Sequence, residues 1–163
     1  MDGVLARKLA ACMRFQIPMR HAPWLLLLLL AGCGRISDAD RVAAVATVQR
    51  NLDAMNTGDI DAMMATMHPL SPTYAEMPAL TRTIAEKFKL GYVLEKAEVE
   101  QAKGDEILVG FVQVTRKLGG DEDFPDNRVF GTHVLRRDGT AWKIWDTHVR
   151  KMDRLEAAPG ENG

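Results

Sequence analysis

The chain has 163 residues, 21 Lys and Arg against 22 Asp and Glu, and 47% hydrophobic side chains, the balance of a globular protein with one ordinary core. That charge balance excludes the strongly basic face that nucleic-acid binding requires. Two cysteines exclude a disulfide framework.

The first element is an address rather than part of the fold. "WLLLLLLAGCGR" holds an uninterrupted apolar run of nine residues, Trp24 to Gly32, whereas a spanning helix needs about 20. Pro18, Arg20, His21 and Pro23 fence it upstream, and Arg14 and Arg20 supply the positive region of a secretory signal. Leu30-Ala31-Gly32-Cys33 resembles the lipobox of bacterial lipoproteins. The resemblance implies that residues 1–33 form the signal, that cleavage makes Cys33 the mature N-terminus, and that its thiol carries lipid. Stable anchoring takes more than one acyl chain. The domain would then sit on the envelope facing the periplasm. Gly34 after the cysteine, in place of Asp, points to the outer rather than the inner membrane. The length of the leader leaves Met1, Met13 and Met19 as possible starts.

Past Cys33 lie 17 basic and 21 acidic residues, a net charge near −4, and no thiol remains for a disulfide or a nucleophile. Residues 34–40 read as a tether and 41–153 as the domain. Val42, Val45, Val48, Leu52 and Met55 recur at helical steps, with Ser37-x-x-Asp40 as a capping box before them. In "NTGDIDAMM", Gly58 is the left-handed stop of that helix and Asp59 the cap of the next, whose stripe is Ile60, Met63, Met64 and Met67. A proline-rich linker, "PLSPTYAEMP", leads to a third helix from about Pro78 through Leu80, Ile84 and Phe88.

The period then changes. "YVLEKAEVEQA", "ILVGFVQVTRKL", "NRVFGTHVLRR" and "AWKIWDTHVRKM" are four strands, separated by turn chemistry at Lys103-Gly104-Asp105, Gly119-Gly120-Asp121 and Asp138-Gly139. Four strands on short turns make an antiparallel meander. Helices that precede it must cover one of its faces, which gives an α+β fold. Residues 154–163 read as a disordered tail.

This order is similar to that of the nuclear transport factor 2-like (SnoaL-like) superfamily. The features that match are "AMNTGDIDAMMATMHP", "DNRVFGTHVLRRDG" and the closing "WKI", spanning about Val42 to Met152. The resemblance implies a cone, a curved sheet wrapped around helices, with a pocket at its open end and dimerisation through the outer face of the sheet. It leaves activity open, because the superfamily includes isomerases, dehydratases, cyclases and adaptors.

The sharpest chemical candidate lies in the last hairpin. A two-residue turn at Asp138-Gly139 pairs His133 with Ile144 and Gly131 with Asp146; a four-residue loop pairs His133 with Asp146 and Gly131 with His148. In both, alternation sets His133, Trp142, Ile144, Asp146 and His148 on one face, and Trp145, Thr147 and Val149 on the other. His133 beside Asp146 would make a general base, with Gly131 leaving room for a ligand. Tyr74, Gln113, Trp142, His148 and His68 would complete a lining. The same pair can equally be two buried polar groups satisfying each other.

The superfamily's enzymes fit poorly. Ketosteroid isomerase needs a tyrosine that the first helix lacks, and the resemblance to scytalone dehydratase is by residue type only. His133, His148 and Asp146 lack a diagnostic ligand spacing, and "DEDF" lacks the periodicity of a calcium loop, so neither metal nor cofactor is expected. The sequence therefore reads as an envelope lipoprotein. Its non-catalytic domain binds a small apolar ligand or a protein partner and dimerises. The alternative is a lyase, isomerase or hydrolase using Asp146 and His133.

Overall fold

The computed structural model describes residues 36–120 and 122–156. The leader, the lipobox with Cys33, the alternative starts, Asp121 and residues 157–163 of the tail lie outside the described residues.

Helix α1 (Asp38–Thr57) is closed at both ends by its own sequence. The Ser37 hydroxyl accepts the Asp40 N–H at 3.2 Å, and the Asp40 carboxylate accepts the Ser37 N–H at 2.9 Å. This reciprocal cap satisfies two donors that the first turn leaves orphaned. Ordered structure therefore begins inside the stretch assigned to a tether, and Ile36 already packs against the core. Gly58 ends the helix with φ +69°, a conformation that costs a side-chain-bearing residue about 1–2 kcal/mol. The buried face is Ala44, Thr47, Val48, Leu52 and Ala54, whereas Val42 is 69% exposed, so the expected valine stripe is only partly the inner one. Small residues win at the contact because the Thr47 hydroxyl donates to the Trp142 carbonyl at 3.0 Å, which draws helix and sheet together.

Asp59 caps α2 (Ile60–Ala65) by accepting the Ala62 N–H at 2.9 Å. Met63 and Met67 are buried after it. Met67 makes a parallel bridge to Ile144, so this short segment extends the sheet beyond its last long strand. Turns then lead to α3 (Met77–Lys87), which takes Pro78 in its first turn.

The meander is present as expected: β1 (Lys89–Lys103), β2 (Glu106–Gly119), β3 (Asn127–Asp138) and β4 (Ala141–Arg154), antiparallel in chain order. β4 thus runs one residue into the stretch read as a tail, and the Leu155 N–H reaches the Asp126 carbonyl at 2.8 Å. The helices cover one face. Ala44 and Val48 of α1 meet Ile107, Val109, Leu135, Trp142 and Ile144 there. Burying each valine, leucine or isoleucine among them stabilises the fold by about 1.5–3 kcal/mol. The β2–β3 register runs without interruption, whereas β1–β2 shifts three times and β3–β4 twice. Each shift inserts an unpaired residue and sharpens the twist, which curves the sheet around α1.

Asp40 locks the helix to the sheet. One carboxylate oxygen accepts from Arg137 at 2.7 Å and from the Trp142 indole at 3.0 Å. The Arg137 guanidinium also lies 4.4 Å from the Trp142 ring centre.

Candidate functional site

The inner face of the sheet is a ladder of cross-strand rows. Val99, Val109, His133 and Thr147 form one row; Ala97, Phe111, Gly131 and Val149 the next; Leu94, Gln113, Val129 and Met152 the third. The β3–β4 loop is Gly139-Thr140, because Asp138 pairs with Ala141. Leu135 therefore opposes Ile144, the register that would bring His133 onto Asp146 two pairs further along.

An extra residue prevents it. The ladder slips at Trp145, so Val134 opposes Asp146 and His133 opposes Thr147. A one-residue slip exchanges the faces of everything after it. Thr147 and Val149 turn inward, while Asp146 and His148 turn outward. Trp145 is held out of the ladder by two neighbours: His68 meets its ring edge-on at 5.0 Å, and the Arg136 guanidinium lies 4.1 Å from its centre.

The expected His133–Asp146 pair is therefore not formed. His133 Nδ1 shares a hydrogen bond with the Thr147 hydroxyl at 2.8 Å, and its ring stacks on Phe111 at 4.3 Å. Burial pushes the imidazole down to about 4, so it is neutral at neutral pH. Asp146 instead faces His148 on the outer surface at 3.5 Å and accepts the Thr147 N–H at 2.7 Å. Gly131 leaves no room for a ligand: a Cβ there would lie 2.6 Å from the Phe111 ring and 2.8 Å from the His148 carbonyl.

Nor does the rest of the expected lining converge. Trp142 is a core residue, 3% exposed. Gln113 donates to the Thr115 hydroxyl at 3.2 Å on the inner face. Tyr74 stays on the loop after Pro69, its N–H on the Ser71 carbonyl. His68 is buried at the β4 edge, its Nδ1 accepting the Leu70 N–H at 3.1 Å and its Nε2 donating to the Arg137 carbonyl at 3.2 Å. Among the described residues no three His, Cys, Asp or Glu side chains gather to hold a metal, and no helix is long and apolar enough to cross a membrane.

Space lies elsewhere. Met63, Met67, Phe111 and Trp142 are all buried in the interior. A cleft of about 570 Å³ opens between the C-terminal end of α1, the inner side of α3 and the start of β1. Met55, Ile60, Ile84, Phe88 and Leu90 give it apolar walls, with Tyr92 beside them and Arg82, Glu86 and Lys89 also lining it. Burial raises the Tyr92 phenol above its ordinary pKa. The Asn56 side chain holds the end of α1 to this strand, exchanging two hydrogen bonds of 2.8 Å with the Tyr92 backbone. Sequence reasoning missed this cleft. Its signal was the stripe Leu80, Ile84 and Phe88 of α3, which shows an apolar side but not whether anything fills it.

Residues 46–155 match the family described as the C-terminal domain of the anti-sigma-I factor RsgI9. The chain belongs to this family. Among solved structures, it is similar to a protein of cystatin-like fold from Nostoc punctiforme, with 13% identity and a TM-score of 0.60 over 74% of this chain and 96% of that one. A protein of the nuclear transport factor 2-like family from Streptomyces avermitilis, described as a candidate dehydratase, matches with 20% identity and a TM-score of 0.56 over 74% and 99%. A ketosteroid isomerase-like protein from Erwinia carotovora atroseptica matches with 18% identity and a TM-score of 0.52 over 71% and 99%. The domain thus has the nuclear transport factor 2-like fold that its sequence implied. No curated protein matches the chain.

Proposed function

We propose that the chain is an envelope lipoprotein, anchored through Cys33, whose nuclear transport factor 2-like domain binds rather than catalyses. The observation that carries this reading is the separation of His133 from Asp146 by the thickness of the sheet. A general base works best with a pKa near the operating pH. The imidazole has no carboxylate partner among the described residues, and burial pushes its pKa down to about 4. The family's description supports the same reading, since it names an anti-sigma factor rather than an enzyme. The ligand is a small apolar molecule in the cleft beside α3, whose volume is within the range of small-molecule sites. Dimerisation through the outer face of the sheet belongs to the same proposal, since Val93 and Leu118 stand 57% and 63% exposed there.

The test is native mass spectrometry on residues 34–163, produced without the leader. A dimer carrying a small co-purified mass is the expected result; an empty monomer would count against both ligand and dimer. For the anchor, the intact mass of the membrane-extracted chain should carry acyl groups that Cys33→Ala abolishes. Release of unmodified protein into the soluble fraction from both forms would sink the lipoprotein reading.

A further inference from the structure

Helix α3 is the weakest-held element of the domain, and it forms one wall of the cleft. None of its eleven residues is buried, and its N-cap Glu76 makes no side-chain capping bond. Its ties to the rest are few: the Thr81 hydroxyl reaches the Met63 sulfur at 3.6 Å, the exposed Lys87 ammonium lies 3.3 Å from the Glu122 carboxylate, and Phe88 at its end meets Phe124 edge-on at 5.4 Å. The side turned to the cleft carries Ile84, with Thr81 and Ala85 beside it. An apolar surface left half-wet on a loosely seated helix gains by closing on something that fills the gap.

The charges at the cleft say what that something carries. Arg82 of α3 and Lys89 of β1 both line it, against the single carboxylate of Glu86. Among the described residues neither cation has a carboxylate within 4 Å, although ion pairs occupy most of the sheet's other charges: Arg128 with Glu95, Arg136 with Glu106, Arg150 with Glu100. Two cations lining an apolar cleft, neither paired among the described residues, are complementary to a molecule with an apolar body and one anionic end.

We infer that the cleft takes an anionic amphiphile of small size, a carboxylate or phosphate on an apolar body, with Arg82 and Lys89 on the anion and α3 closing over the body as a lid. This rests on the ligand-binding reading above and narrows it to a chemical class.

The experiment is hydrogen exchange by mass spectrometry on the full chain with two matched pairs of probes, decanoate with decan-1-ol and 4-phenylbutanoate with 4-phenylbutan-1-ol. The acids should slow exchange over residues 77–87 by tenfold or more, the alcohols by much less. Arg82→Gln combined with Lys89→Gln should remove the protection by the acids and leave that by the alcohols. Arg116→Gln, on the outer face, should change neither. Equal protection by acid and alcohol, unaltered in the double variant, overturns the anionic assignment while ligand binding stands. No protection by any probe overturns both.

Discussion

Helices α1 and α3 come from the same chain, carry comparable apolar stripes in sequence, and end in opposite conditions. α1 has a reciprocal cap at its start, a left-handed glycine at its end and five buried residues between; α3 has no side-chain cap and no buried residue. The difference is one of specification. Every turn of α1 is fixed by a local bond or by the sheet, so its position is determined. α3 is a helix by its own periodicity, but its place against the domain is set by little beyond the cleft it borders. In proteins, the elements that move on binding come from this low-stability end.

The contrast is broken most severely at Trp142. It fills the core beneath α1, 3% exposed, and its indole N–H is spent on Asp40. Trp142→Ala should cost about 3–5 kcal/mol in urea unfolding, because it leaves a cavity as well as removing transfer free energy. A loss near 1 kcal/mol would mean that α1 is not held as described.

Asp40 comes next. Its carboxyl is held well below the usual carboxylate range, chiefly by the Trp142 indole and then by Ser37, with Arg137 adding to them. A depressed folded-state value means that the stabilisation is complete above the ordinary carboxylate pKa of about 4 and fades as pH falls below it. Asp40→Asn should therefore lower the melting temperature at pH 7, and the gap from wild type should narrow steadily below about pH 4. A gap independent of pH would show that the charge is not what matters. Smaller still, Gly58→Ala meets no steric obstacle but must hold φ at +69°, and should cost about 1 kcal/mol by the same unfolding measurement.

What was legible in the sequence follows the same division. As caps, Ser37, Asp40, Gly58 and Asp59 act on neighbours three or four residues away, so their capping roles can be read from spacing alone and each is found in its role, whereas the bonds of Asp40 to Arg137 and Trp142 cannot. The four strands and their order are equally plain, because alternation and turn residues are local. The site was not legible. Its expected geometry depended on one unbroken register from Leu135 to Gly131, and Trp145 breaks it. What draws Trp145 out of the ladder is His68, seventy-seven positions away, together with Arg136 on the neighbouring strand. A bulge set by a long-range contact leaves no mark in the alternation pattern, yet it decides which face Asp146 takes. Val42 failed for a related reason: periodicity gives a helix an apolar side but not the few degrees of rotation that make Ala44 and Thr47 the closest contacts.

The smallest effect is the most informative about α3. Ile84 lies half-buried on the wall of the 570 Å³ cleft, where no tight packing would be lost with it. Ile84→Ala should change unfolding free energy by less than about 1 kcal/mol, against the 2–5 kcal/mol typical of the same truncation in a filled core. Hydrogen exchange in the same variant separates the two ways of being small. If α3 is a lid seated only by this apolar side, its amides should exchange several-fold faster while those of α1 are unmoved, because opening of α3 is then a local event rather than global unfolding. Uniform acceleration across both helices would mean that α3 opens only when the whole domain does. It would then be a wall of the domain, and the cleft beside it a fixed pocket rather than one that closes.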